Sequence, residues 1–278
     1  MPEFERDGVA LYYQEWGDPD APAVLLLHGF TFDQRMWMPH VEAFARDYRV
    51  VAPDLRAHGR SAAPEDLDEY SMDIYAADVN ALLGHLAITA CALVGSSFGG
   101  MIALHFAVTW PALVAGLVVS DASPAADHPA YTEAFREREA VIAQMAQLIA
   151  EKGTDYAGKQ AAARVNDPFL ADAMRKRYAA MSREGFLGAQ KARTTRPDLV
   201  PRLREALTMP VLLCWGEDDP VSSARDVMAA ELPGARIVTF AETGHAVPML
   251  RPDAFIRTVL AFFADIEDAQ PIAGRRRL

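Results

Sequence analysis

Ser97 stands at the centre of Gly95-Ser96-Ser97-Phe98-Gly99, a G-x-S-x-G stretch that follows one apolar run and precedes another. Small residues on both sides are what a sharp strand-to-helix turn needs, and such a turn lifts its central side chain above a sheet. Ser96 occupies only the variable position. The helix starting there offers unpaired N–H groups and a positive dipole end beneath the hydroxyl. A serine hydroxyl is a weak nucleophile until a histidine takes its proton. The histidine in turn needs a carboxylate to fix its tautomer and to stabilise the imidazolium. His245, beside Gly244 and late in the chain, suits the base; His85 and His105 lie in helical patterns, and His58 precedes the serine.

The elements that must hold these groups follow from hydrophobic patterning. Apolar runs at 24–27, 92–94, 117–119 and 211–215 lack polar alternation, as strands covered on both faces of a parallel sheet do. Residues 49–52 and 236–240 add two candidates, and 9–15 alternates enough to be an antiparallel edge strand or hairpin. Helical patterns at 71–86, 99–110, 223–232 and 253–264 separate them, which argues for an open α/β sheet. One interval breaks the rhythm: about 90 residues lie between Asp121 and Val211, where one crossover helix needs far fewer. There Phe135, Ile142, Met145 and Ile149 recur with helical spacing, Gly153 offers a C-cap, and a second helical stretch covers 171–181. Residues 124–205 are therefore expected to form a helical cap inserted into a sheet domain made of 1–123 and 206–278.

Composition removes several classes of function. The chain has 278 residues with a formal charge of −11, which argues against nucleic acid or an anionic membrane as partner. The one basic run, Arg275-Arg276-Arg277, is expected to be a solvated tail. No apolar stretch approaches the ~20 residues of a membrane span, and the N-terminus does not look like a signal peptide. Cys91 and Cys214 lie inside apolar runs and fit buried thiols in a reducing cytoplasm rather than a disulfide framework. No CxxC, HExxH or clustered His/Cys pattern supports a metal site, and no cofactor is expected.

Taken with His28-Gly29-Phe30, the loop Pro53-Asp54-Leu55-Arg56-Ala57-His58-Gly59-Arg60-Ser61, Gly216-Glu217-Asp218-Asp219-Pro220 and Gly244-His245, the serine motif resembles the α/β-hydrolase superfamily over nearly the whole chain. Ala57 stands where the family usually has Gly. The resemblance implies a mostly parallel eight-stranded sheet flanked by helices, with a helical cap after the sixth strand. It also implies a triad in the order Ser97, Asp219, His245, with Asp219 as the acid; Asp218 and Asp121 are the alternatives. The N–H of Phe98, the residue after the nucleophile, and by resemblance that of Phe30 would form the oxyanion hole. Phe30, Phe98, Met145, Phe169, Met181, Phe186 and Val247 are the candidates to line the substrate pocket.

Serine at position 97 disfavours the relatives that open epoxides or dehalogenate, because those form their alkyl-enzyme ester on a carboxylate. Acyl transfer to water remains. The resemblance to 3-oxoadipate enol-lactonase-like hydrolases and small carboxylesterases points to a small-molecule ester or lactone substrate. Alternatives on the same residues are C–C, thioester or amide cleavage and perhydrolysis, or a ligand-binding receptor on a hydrolase scaffold. A monomer or homodimer is expected.

Overall fold

The computed structural model describes residues 2–269, so the tail carrying Arg275-Arg276-Arg277 lies outside the described residues. Eight strands form one sheet: β1 (Glu3–Arg6), β2 (Val9–Trp16), β3 (Ala23–Leu27), β4 (Arg49–Pro53), β5 (Cys91–Ser96), β6 (Val114–Ser120), β7 (Val211–Gly216) and β8 (Arg236–Phe240). Their order is β1-β2-β4-β3-β5-β6-β7-β8. Strands β4 to β8 run parallel with β3, while β1 and β2 pair antiparallel. The alternating stretch near the N-terminus is thus a hairpin. Its turn, Asp7-Gly8, has positive φ at both positions, the geometry that matches strand twist and favours Asp-Gly.

The unbroken apolar runs have a simple cause. Leu25 and Leu27 of β3 point into the core beneath α2 (Met72–His85) and α3 (Phe98–Thr109), whereas Val24 and Leu26 point to the other face. That second face is covered by α1 (Met38–Phe44) and the C-terminal α11 (Pro252–Ala269), through Phe44, Phe255, Val259 and Phe263. Neither side of the central strands meets water, so neither can carry polar residues. Edge strand β8 is mostly exposed or half-buried.

Between β6 and β7 lie five helices: α4 (Glu133–Lys152), α5 (Thr154–Ala162), α6 (Pro168–Ala179), α7 (Arg183–Thr194) and α8 (Val200–Ala206). Helix α4 is capped at both ends, by the Thr132 hydroxyl and by Gly153 at φ 83°, where the helical pattern in the sequence places its end. Phe135 and Ile149 are its two buried residues. Ile149 joins Ala157, Met181 and Phe186 in a small separate core over the carboxyl ends of the strands, against which Phe30 packs. Helix α8 belongs elsewhere: Leu199, Leu203 and Leu207 enter the main core beside α3. Within the stretch 124–205, α8 thus packs with the sheet domain rather than with the small core above it. After β7 come α9 (Ser222–Glu231), then β8, α10 (Val247–Leu250) and α11.

Candidate active site

The strand order reverses between β3 and β5, since the chain leaves β3 outward to β4 on one side and returns to β5 on the other. Ligands in open α/β sheets bind outside the carboxyl ends of strands at such a point. Ser97 sits there, between β5 and α3, with φ 51° and ψ −113°. That conformation costs a non-glycine residue about 1–3 kcal/mol. The turn closes on itself tightly: a Cβ at Gly95 would lie 2.4 Å from the Gly99 carbonyl, and one at Gly99 2.2 Å from the Leu27 carbonyl. Only glycine lets α3 start this close to β3. The Ser97 N–H donates to the Ser120 carbonyl at 2.8 Å, which ties the elbow to β6.

His245 reaches the elbow from the loop after β8. Its Nε2 is 2.9 Å from Ser97 Oγ, and its Nδ1 is 3.0 Å from both carboxylate oxygens of Asp219. A carboxylate facing Nδ1 places the ring proton there and leaves Nε2 as acceptor. Asp219 is buried, and its Oδ1 also accepts from the Val221 N–H at 3.0 Å. Burial alone would raise its carboxyl, but the hydrogen bond and charge of His245 hold it below the ordinary value. Asp218 is exposed.

Asp121 is buried at the end of β6 and accepts from the Ser120 hydroxyl at 2.7 Å, the Val247 N–H at 2.8 Å and the Gly216 N–H at 3.3 Å. Burial, with Asp219 beside it, pushes its carboxyl up to about 8. Asp121 therefore braces the ends of β6 and β7 and the start of α10 and holds its proton more tightly than an ordinary carboxyl, while Asp219 is held toward its charged form. Asp121, Asp219 and His245 each place one ligand-type atom within 4.8 Å of the others.

The loop after β3 lies alongside: a Cβ at Gly29 would sit 3.7 Å from the Ser97 Cβ. His28 fixes it, with Nδ1 2.8 Å from the Gly29 carbonyl and Nε2 accepting from the Leu55 N–H at 3.0 Å. Phe98 opens α3, so its N–H lacks an intrahelical acceptor. In the loop after β4, Ala57 takes up φ 65°, so the left-handed turn that usually carries Gly is kept. Arg56 and the Asp78 carboxylate form a buried bidentate pair beneath it, at 2.9 Å each.

The pocket candidates divide. Phe30 is half-buried, its ring centroid 4.8 Å from that of Phe186 and 5.8 Å from that of Phe98. Met145, Met181 and Phe186 join it in the small inserted core. The Phe98 ring is fully buried against Tyr75, so only its backbone can serve the site. Two candidates fall away. Phe169, at the start of α6, is 80% exposed, and Val247 is buried among Trp37 and Phe255 on the far face of the sheet. A cavity of about 570 Å³ lies between the loop after Phe30 and α6, bordered by Phe32, Met36, Met174 and Arg177. A larger one, about 890 Å³, opens at the amino ends of β6 and β7, the opposite end from Ser97.

Three charged residues of the inserted helices were not legible as site residues. Arg138 on α4 brings Nη2 to 2.9 Å from His245 Nε2. Arg193 on α7 is buried with its guanidinium 5.6 Å from the centre of the Phe30 ring, and Glu139 accepts from both arginines. On an amphipathic helix such residues read as solvent-facing, and nothing in their local sequence says otherwise.

A hydrogen-bonded serine, histidine and buried aspartate behind a glycine-tight elbow, on an eight-stranded mostly parallel sheet, is an arrangement found on hydrolase-type scaffolds. The chain belongs to the alpha/beta hydrolase family, whose model matches residues 24–258. It is similar to 3-oxoadipate enol-lactonase 2 of Acinetobacter baylyi, 27% identical over 91% of this chain and 92% of that protein. Epoxide hydrolase 4 of Mus musculus is 38% identical, but over only 40% of this chain; the chain spans about a third of the length of the epoxide hydrolases it matches. Among solved structures, a thermophilic esterase from Thermogutta terrifontis, malate bound, superposes with a TM-score of 0.78 at 26% identity, covering 96% of this chain and 97% of that one.

Proposed function

We propose that this protein is a serine hydrolase that cleaves a small carboxylic ester or lactone through an acyl-enzyme on Ser97. The observation that carries the reading is the hydrogen-bonded series from Ser97 through His245 to buried Asp219. His245 takes the hydroxyl proton as Ser97 Oγ attacks the carbonyl carbon. The developing oxyanion is received by the N–H groups of Phe30 and Phe98, where the helix dipole of α3 adds to the field. The imidazolium then protonates the leaving alcohol, and the acyl group stays on Ser97. A water, deprotonated by His245, releases the acid and restores the serine.

Epoxide opening through an alkyl-enzyme ester needs a carboxylate nucleophile, and position 97 is serine; the short, local similarity to epoxide hydrolases supports the scaffold rather than that chemistry. Full-length similarity to an enol-lactonase supports the ester or lactone class. Helices α4–α7 are the proposed cap, excluding water and shaping the acyl pocket. The proposed location is the cytoplasm, where the two buried free thiols, Cys91 and Cys214, stay reduced. Among the described residues no helix is long and apolar enough to cross a membrane.

A fluorophosphonate probe should label Ser97, and Ser97→Ala should abolish both labelling and turnover of p-nitrophenyl acetate, a loss on the order of 10⁴–10⁶ in kcat. Absence of labelling in the wild type, with ligand binding intact, would convert the assignment to a receptor. Turnover that survives Ser97→Ala would refute the nucleophile.

A further inference from the structure

We propose that Arg138 holds the site in a self-blocked state and releases it to a substrate that carries a carboxylate close to the scissile carbonyl. The inference rests on Ser97 and His245 acting as proposed above. With its proton on Nδ1, the imidazole offers one lone pair, on Nε2. Two donors stand 2.9 Å from it, the Ser97 hydroxyl and the Arg138 guanidinium. It can accept from one, and the charged donor forms the stronger bond. While Arg138 donates, the serine proton has nowhere to go.

The charge around Arg138 says what would draw it away. Its Nη1 is held by Glu139 at 2.9 Å, and the other Glu139 oxygen takes Arg193 at 2.5 Å. One carboxylate thus serves two guanidiniums. A third, Arg196, is buried beside them, and its hydrogen bonds among the described residues go to neutral acceptors: the Ser123 hydroxyl at 2.6 Å and the carbonyls of Ala125 and Arg193. Positive charge is in excess, partly desolvated, and aimed at the nucleophile. The planar fork of Arg138 fits a carboxylate bidentately, a far better partner than an imidazole lone pair. A small rotation toward such a group frees Nε2 for Ser97. Because the guanidinium stays tethered to Glu139, the carboxylate must lie within a few bonds of the reacting carbon.

The test compares p-nitrophenyl hydrogen adipate with its neutral methyl ester, on the wild type, Arg138→Met, Arg138→Lys and Ser97→Ala. In the wild type, kcat/KM should favour the acid by about 10–100-fold, the scale of one charge-assisted contact. Arg138→Met should lose that preference and should cleave the methyl ester several-fold faster than the wild type. Arg138→Lys should keep an intermediate preference. Equal kcat/KM for the two substrates in the wild type, or a parallel fall on both in Arg138→Met, would overturn the proposal. Should Arg138→Met fail to fold, Arg138→Lys decides alone, and a preference equal to wild type defeats the idea. Turnover that persists in Ser97→Ala would instead defeat the nucleophile assignment; turnover lost there, with no preference for the acid anywhere, defeats only the role of Arg138.

Discussion

The loops at the carboxyl edge of the sheet and the helices inserted above them are built on different physics. At the edge, backbone packing leaves no choice. Gly99 cannot take a Cβ without striking Leu27, Ser97 is held in a strained turn by its bond to Ser120, and Asp121 braces three loops through three hydrogen bonds. Above, α4 buries two residues of its twenty and is held by a small core and by ion pairs. The edge holds the reacting groups within hydrogen-bond distance of one another. The helices supply charge and shape, and α4 in particular can vary over most of its length because few of its side chains are enclosed. Reaction type should therefore be set by the edge and substrate choice by the inserted layer, and each half of that division can be broken separately.

The largest effect should come from two carboxylates at the edge that look alike in sequence. Asp219→Asn removes the charge facing His245 Nδ1 and permits the wrong tautomer, so kcat should fall on the order of 10⁴. Asp121→Asn exchanges a carboxyl that burial and the neighbouring Asp219 already push toward its neutral form, and it should cost less than about tenfold. Its signature lies in stability. A carboxyl raised to about 8 in the folded state binds its proton more tightly than in the unfolded chain. Wild-type stability should therefore fall from this source as pH rises between about 4 and 8. Asp121→Asn removes that slope, so its Tm relative to wild type should be higher at pH 8 than at pH 5. A comparable loss of kcat at Asp121, with near-normal turnover in Asp219→Asn, would move the acid to β6.

A smaller effect is expected from the inserted layer. Phe186 packs its ring on Phe30, beside the proposed oxyanion hole, with Met145 and Met181 behind it. Phe186→Ala opens that wall and should shift the preference toward longer acyl chains by about tenfold across a p-nitrophenyl ester series, while destabilising the small core by about 3–5 kcal/mol. Short and medium acyl groups should be preferred by the wild type. An unchanged chain-length profile in Phe186→Ala would leave the inserted helices without a part in selectivity.

The same division explains what the sequence discloses. The elbow, the central strands and the histidine loop are legible because each is governed locally: an apolar run covered on both faces, a glycine where backbones touch, a residue order along the chain. Between the three candidate acids the sequence leaves a choice that burial resolves, since Asp218 is exposed while Asp219 meets the imidazole. The inserted layer is legible only as helices. Phe169 is apolar yet faces water, and Val247, two residues after His245, turns into the opposite core because α10 begins there. Arg138 lies on a helix whose polar residues mostly do face solvent, and its contact spans 107 positions in the chain. No short-range pattern encodes a meeting of that kind. Leu199, Leu203 and Leu207 likewise form a helical stripe that reads the same whichever core they enter.

The smallest expected effect joins the two regions through the pH dependence of turnover. His245 must be neutral to accept the serine proton, so kcat/KM should rise with pH through its titration. Burial lowers the histidine below its ordinary value of about 6.5, and the charge of Arg138 on α4 lowers it further, with Arg193 on α7 adding a little. Asp219, on the loop after β7, acts in the opposite direction through its hydrogen bond and charge, while Asp121 beside it is pushed toward its neutral form. The midpoint of the acid limb should therefore lie below 6.5 in the wild type. Arg138→Met removes one lowering charge and leaves Asp219 in place, so the midpoint should move up, by less than about one pH unit, which corresponds to about 1.4 kcal/mol. The profile of kcat/KM between pH 4.5 and 8.5 on a neutral ester reads this shift without involving any charge on the substrate. A midpoint that stays fixed or moves down in Arg138→Met would mean that the inserted helices do not act on the base at all, and the two regions would be coupled only through shape.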